Sequence, residues 1–414
     1  MNTPPLPIVV VGAGAAGLLA ALFAARGGRP VTLIEGTRDG GRKILISGGG
    51  RCNILPSRVE PERFVTRSSP NSLRNILRAW PLDEQRAFFE RELGMRLVLE
   101  PETGKLFPES NRARDVRDRL VARARDAGAR LMFGVRVTEV GPPPHATGAW
   151  RVLLSQGPPL EASAVVLATG GLSVPATGSD GAGIAMARAL GHTVHDVYPA
   201  LTPLVADPPV HADLAGISLD VTIRVPGTRP RFATSGGFLF THRGYSGPAV
   251  LDASHHVVCC ARDSARNALL VQWTSRDRAA WEAALAPGQG NAGSALSRVM
   301  PSRLANRLRF EAGIPEDQSL AHLNRDARQR LVDLLTAYPL PWSGHEGYRK
   351  AEVTGGGVAL AEVDPRTMES RRRPGLFLCG EMLDAFGPIG GHNFLWAWVT
   401  GRAAGTGACG AERR

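Results

Sequence analysis

The stretch LPIVVVGAGAAGLLAALFAARGGRPVTLIE (6–35) decides the fold. Its first six residues are a short continuous apolar run, the pattern of a strand buried on both faces of a parallel sheet. Gly12-Ala13-Gly14-Ala15-Ala16-Gly17 follows, then an Ala/Leu-rich helix to about Arg26, stopped by Gly27-Gly28. A second strand over 31–34 ends at Glu35. A lone GxGxxG is a weak signal, but here it sits between strand and helix, with an acid 18 residues after Gly17. That context marks a dinucleotide-binding βαβ unit. Gly12 permits the tight turn, Gly14 leaves room for a pyrophosphate, and Gly17 lets helix and strand pack closely. The free N–H groups of the turn, including those of Ala13, Ala15 and Ala16, face the phosphates at the positive end of the helix dipole. Glu35 is placed to accept hydrogen bonds from a ribose.

Working outward, residues 36–53 read as a polar, glycine-rich loop. Its Ser47, Gly49, Gly50, Arg51, Cys52 and Asn53 offer backbone and side-chain contacts to a phosphate or a closely approached planar ring. Arg42 and Lys43 supply charge against pyrophosphate. Two further glycine turns end short buried strands. One carries Ala168, Thr169 and Gly170. The other carries Gly380 and Glu381, with Asn393 and Phe394 opening the helix beyond. A carboxylate after such a turn suits a ribityl hydroxyl, and the helix start suits negative charge on a reduced ring. Together, turns so far apart in the chain need one long ligand.

The rest of the chain frames these sites. Residues 71–93 read as two helices broken at Pro81, and 112–127 as a third. Residues 131–140, 150–154 and 164–168 are strand material, and 180–190 is a helix. From about Tyr198 to Gln272 strand signals alternate with Pro/Gly turns, and the adjacent Cys259 and Cys260 read as thiols on a strand. Residues 279–338 look helical. The glycine-rich style returns near Ala351. The expected division is 1–197 and 346–414 as one α/β domain, interrupted by a β-rich part, 198–275, and a helical part, 276–345.

Composition narrows the function. Five scattered cysteines form neither a disulfide framework nor a zinc site, and no metal site is read. No apolar run is long enough for a membrane span, and the start lacks a signal peptide's basic residues, so a cytoplasmic location is expected. The net charge of +11 raises an acidic partner such as RNA, but basic and acidic residues interleave, which argues against a charge-driven nucleic-acid role. Of 49 basic side chains only Lys43, Lys105 and Lys350 are lysine. In so arginine-rich a chain, these positions hint at a need for a compact ammonium.

The motifs GAGAAG (12–17), GRKILISGGGRCN (41–53), GKLFPES (104–110), ATGGLSVPATGSDGAG (168–183), GFLFTHRGYSGPAVLDAS (237–254), AEVTGGGV (351–358), TMES (367–370) and GLFLCGEMLDAFGPIGGHNF (375–394) resemble the BaiN/YhiN-type NAD(P)/FAD-dependent oxidoreductases over nearly the whole chain. The resemblance implies an α/β fold: a Rossmann-like, glutathione-reductase-like FAD domain with an inserted β-barrel and helical domain. It places Glu35 at the adenosine ribose, Val135 at the adenine, and Glu381, Asn393 and Phe394 at the flavin end. HNFLW (392–396) stands where the family more usually carries tyrosine and glutamine. The expected activity is FAD-dependent oxidoreduction of a small molecule, with the flavin reduced by NAD(P)H or by the substrate. Cys52 and His392 are the candidates for chemistry, and His242, Arg243, Tyr245, Tyr348, Arg349 and Lys350 are weaker ones. The alternatives are an FAD-dependent RNA-modifying enzyme and a non-catalytic flavin sensor.

Overall fold

A run of aliphatic residues with no polar face is stable only with a strand on each edge and cover on both sides. Ile8–Val11 has both, and all four residues are buried. In the computed structural model, which describes residues 5–145, 148–260 and 268–410, five strands form one parallel sheet. They are Ile8–Val11 (β1), Val31–Glu35 (β2), Ala129–Phe133 (β3), Ala164–Leu167 (β4) and Leu376–Leu378 (β5), in the order β3-β2-β1-β4-β5. Every pairing is parallel. This is the doubly wound Rossmann order, and it reverses direction between β1 and β4. The segment expected as strand over 131–140 divides in two. Ala129–Phe133 joins this sheet, and Val137–Gly141 joins a small antiparallel sheet with Trp150–Leu154 and Leu160–Ala162.

Helix α1, Ala15–Arg26, is apolar on every side because it is covered on every side. It packs against the sheet, against Ala113–Asp126 (α2) and against the long helix His392–Gly410 (α3). The α1–α3 contact is backbone on backbone. A Cβ on Gly401 would lie 2.4 Å from the Ala16 carbonyl oxygen, and one on Gly405 2.2 Å from that of Ala20. Loop 36–53 is more ordered than its composition implies. Arg42–Ile46 is helical, and Gly48, Gly49 and Gly50 then turn at φ of 55°, 67° and 85°.

The described residues fall into two compact units, Met1–Pro199 with Glu352–Arg414, and Ala200–Ala351. The second holds an antiparallel sheet of seven strands, running from Tyr338–Pro339 through Leu270–Gln272, Ser218–Val225, Phe232–Thr241, Gly244–Ser246 and Leu204–Val205 to Gly344–His345. No pairing among the described residues joins its two ends, which lie at 338–339 and 344–345. The sheet and the helices over 278–336 share one core, centred on Phe238, Phe240, Trp273 and Trp281. Pro248–Cys260 is a helix, which corrects the reading of Cys259 and Cys260 as strand residues. Ala249, Ala253 and Val257 recur every four residues and are buried, a helical stripe hidden among strand signals. No helix among the described residues is long and apolar enough to cross a membrane.

The α1–α3 contact makes a direct prediction. Gly405→Val drives a side chain into a backbone carbonyl that no rotamer change can move, so it should destabilise the protein by roughly 1–3 kcal/mol or more. A thermal melt reads this as a drop of several degrees, and an unchanged Tm would show that the helices can part freely.

Candidate functional site

In open α/β sheets the crevice beyond the strand ends, where the order reverses, is free of covering helices and binds ligands. Here a cleft of about 460 Å³ lies there, walled entirely by the first unit. The three glycines of the first turn answer to different constraints. Gly12, at φ +100°, would place a Cβ 2.6 Å from the Ala168 carbonyl oxygen, and Gly17 would place one 1.8 Å from that of Gly12. Gly14 has an ordinary φ of −75°, and its Cβ would meet nothing within 4 Å. The protein itself requires Gly12 and Gly17, whereas Gly14 keeps the cleft wall bare. Ala15 and Ala16 line the cleft beside it. Glu35 is fixed at one end by the backbone N–H groups of Ala13 and Thr37, each donating at 2.8 Å to a different carboxylate oxygen. Each oxygen keeps a lone pair for a further donor.

The two cations expected to face pyrophosphate both line the cleft but are already paired. Arg42 meets Asp39 at 2.9 Å. Lys43 donates to Glu381 Oε2 at 2.6 Å and to Ser173 Oγ at 2.7 Å. Glu381 Oε1 accepts from Ser173 Oγ at 2.6 Å and from the Thr354 backbone at 3.0 Å. Thr354 Oγ1 in turn accepts from the backbones of Leu172 and Ser173. Four segments thus close one polar lock; Ser173 and Thr354, though they lie within two of the glycine-rich motifs, were not expected in it. Asp384 was not expected there either. This buried carboxylate accepts from Thr66, from the Arg67 backbone and from Ser68, pinning residues 66–68 to the second glycine-rich end.

Ser47, Gly49, Arg51, Asn53, Ala168, Thr169, Gly170, Gly380, Asn393 and Phe394 line the cleft as expected, joined by Lys105, one of the three lysines marked out from sequence, and by Thr37 and Phe107, which were not singled out. The Asn393 amide spans the turn before it, bonding both the N–H and the carbonyl of Gly387 at 2.9 Å. Phe394 stacks on Trp398 at 5.4 Å. Arg51 lies over the Phe107 ring at 4.0 Å. Two buried oxygens in the wall, Thr37 Oγ1 and Asn53 Oδ1, have no hydrogen-bond partner among the described residues. Buried polar atoms are seldom left so, and both are ready to meet a polar ligand.

Other expected residues stand behind the wall. Ala13, Gly17 and Gly50 shape the turns without lining the cleft. Val135 donates its N–H to the Glu35 carbonyl at 3.1 Å, just before Arg136 and Val137, which wall a smaller hollow of about 60 Å³ beside the cleft. Cys52 is fully buried, and burial pushes its thiol up to about 12, so no thiolate forms near neutral pH. His392 is buried edge-on to Phe64, and burial together with Arg63 holds its pKa down at about 4, so the ring is neutral. Neither side chain is in the cleft wall. In the second unit, Tyr245 is a core residue bonded to His211, while His242, Arg243, Arg349 and Lys350 are exposed.

Comparison with known proteins gives a family and a fold. The family model described as the HI0933-like protein Rossmann domain matches residues 6–407. The chain is 34% identical over 398 residues to the ribosomal RNA dihydrouridine synthase of Escherichia coli, covering 94% of each. It is 31% identical over 415 residues to the 3-dehydro-bile acid delta(4,6)-reductase of Clostridium scindens, covering 98% of this chain and 99% of that one. Among solved structures it resembles the 3-ketosteroid-delta4-(5alpha)-dehydrogenase of Rhodococcus jostii, with a TM-score of 0.51 at 16% identity, over 99% of this chain and 98% of the other, a likeness of fold. The chain belongs to the HI0933-like family, the BaiN/YhiN group to which its glycine-rich motifs already pointed.

Proposed function

We propose that the cleft holds FAD and that the protein is an FAD-dependent oxidoreductase, reduced by NAD(P)H, that saturates a carbon–carbon double bond conjugated to a carbonyl. The observation that carries this reading is Gly14, a glycine with no steric or conformational need within the protein, at the mouth of a helix N-terminus in the cleft wall. The α1 N–H groups then meet the pyrophosphate, Glu35 and Thr37 the adenosine ribose, and Val135 the adenine. Gly380, Asn393 and Phe394 take the flavin end, where Asn53 Oδ1 gains a partner. Glu381, held by Lys43, positions that end as much as it binds it.

The reaction type is what the relatives' names have in common. Dihydrouridine is uridine with one ring double bond saturated, and that bond is conjugated to a carbonyl; so are the double bonds of a 3-keto delta(4,6) steroid. Bound FAD supplies a two-electron carrier between nicotinamide and such a bond, one carbon receiving a hydride and its neighbour a proton. The leading substrate is a small conjugated ketone. A second reading, an RNA base, is favoured by the ribosomal RNA name and the net charge of +11. That relative counts against the expectation that nucleic acid is no partner.

Gly14→Val tests the cofactor site. The apoprotein should keep its circular dichroism and Tm, while FAD affinity falls at least tenfold; equal affinity would remove the observation on which the reading stands. Anaerobic mixing with NADH and with NADPH should bleach absorbance near 450 nm with at least one of them. The bleached protein should then be reoxidised by a steroid enone, or by unmodified ribosomal RNA with salt-sensitive binding if the RNA reading holds. Bleaching by neither nucleotide would point to an enzyme reduced by its own substrate. Cys52→Ala should leave turnover unchanged, and native Cys52 should resist alkylation at pH 8; a collapse in turnover without loss of flavin would restore the thiol to the chemistry.

A further inference from the structure

Four cations line the cleft, and three have carboxylates: Arg42 with Asp39, Lys43 with Glu381, and Arg51 with Glu100 at 3.1 Å. Lys105 has none within ion-pair distance among the described residues. Glu100 lies opposite it in register and feels its charge, but its oxygens accept hydrogen bonds from Arg51 and from Thr103 at 2.5 Å and not from Lys105. The chain's composition sharpens this. Only three of 49 basic residues are lysine, and two of those three line this one cleft. Lys43 is hydrogen-bonded inside the protein, whereas Lys105 has only the more distant charge of Glu100 and no hydrogen bond or ion pair among the described residues.

Its surroundings say what would meet it. Lys105 and Phe107 are two apart on the strand Lys105–Pro108, so they project to the same side. Arg51 covers the Phe107 ring at 4.0 Å. The strand pairs with Leu55–Pro56, just beyond Asn53, and so belongs to the Asn53 end of the cleft and not to the phosphate cradle at Gly14. An unbonded ammonium on the strand face of an aromatic ring that a guanidinium covers suits an anion carried on a flat, apolar skeleton.

We propose that Lys105, with Arg51 and Phe107, recognises the carboxylate or phosphate of the molecule that exchanges electrons at the cofactor. This rests on the flavoenzyme reading above. The test uses the FAD-loaded full chain, wild type, Lys105→Gln and Lys105→Arg, titrated with NADPH, NADH, trans-cinnamate and its uncharged amide while flavin absorbance is followed. Lys105→Gln should weaken at least one anionic probe by about tenfold, the worth of one charge-assisted hydrogen bond. Lys105→Arg should keep most of that affinity, and the amide and the flavin content should not change. A loss for NADPH alone assigns the site to the donor's extra phosphate, a loss for both nucleotides to its pyrophosphate, and a loss for cinnamate to a substrate carboxylate. The proposal is overturned if no anionic probe binds wild type, if none weakens in the variant, if the amide weakens equally, or if flavin is lost. A wild type that takes up no FAD overturns the flavoenzyme reading itself.

Discussion

The first unit depends on one ion pair between residues 338 positions apart. Lys43 and Glu381 sit on segments that local structure cannot bring together, and their pairing, with Ser173 and Thr354, fixes the width of the cleft. Lysine suits the place because a compact ammonium can direct hydrogens to a hydroxyl and a carboxylate at once, where a planar guanidinium prefers a flat two-oxygen edge. The pair is partly buried, with side-chain exposures of 26% and 16%. Removing one partner would therefore strand the other's charge in a poorly solvated place. Gly171 makes the room, since a Cβ there would lie 2.3 Å from Thr354 Oγ1 and 2.9 Å from Glu381 Oε1.

The β1–α1–β2 unit was legible from sequence because each level of signal agreed: apolar run, glycine turn, apolar helix, acid at the strand end. The strand order was not, because the β4–β5 pairing joins residues some 210 apart (Val165 with Leu376), and nothing local encodes such a partner. The cleft residues divide along the same line. Glycine turns announce a backbone path, so Gly14, Gly49 and Gly380 were found. Side-chain direction is set by packing, so Cys52 and His392, next to residues that line the cleft, turned out to point away from it. Lys105 was visible as a rare residue type, but its place in the cleft wall, two residues from the Phe107 ring that Arg51 covers, follows from an antiparallel pairing of Lys105–Pro108 with Leu55–Pro56 that nothing local in the sequence encodes. Pro248–Cys260 was misread because its β-branched Val250, Val257 and Val258 suit a strand, and the alanines that complete the helical stripe are too small to announce it.

Arrangement alone does not make a site. His192 bonds Glu362 through Nδ1 at 3.0 Å and Ser370 through Nε2 at 2.9 Å, the connectivity of a hydrolytic triad. Ser370 is nonetheless buried, and its oxygen also accepts from the backbones of Arg372 and Arg373. Burial works against a charged Glu362, but bonds from Arg372 and Thr193 outweigh it and hold the carboxyl at about 2. The group is a satisfied structural bracket. In the second unit, His211 likewise bridges the hydroxyls of Tyr245 and Tyr338 at 2.9 and 3.0 Å, tying a loop to two strands of the sheet.

The glycine-lined seam between α1 and α3 bears on how the chain is made. A helix that is apolar all round leaves the ribosome well before the surface that covers one of its sides, which is encoded by residues 392–410. The contiguous segment 200–351 can complete its own core sooner. During synthesis the Rossmann half must wait, half-assembled, for its last helix, and that interval is when the nascent chain most needs shelter from its neighbours.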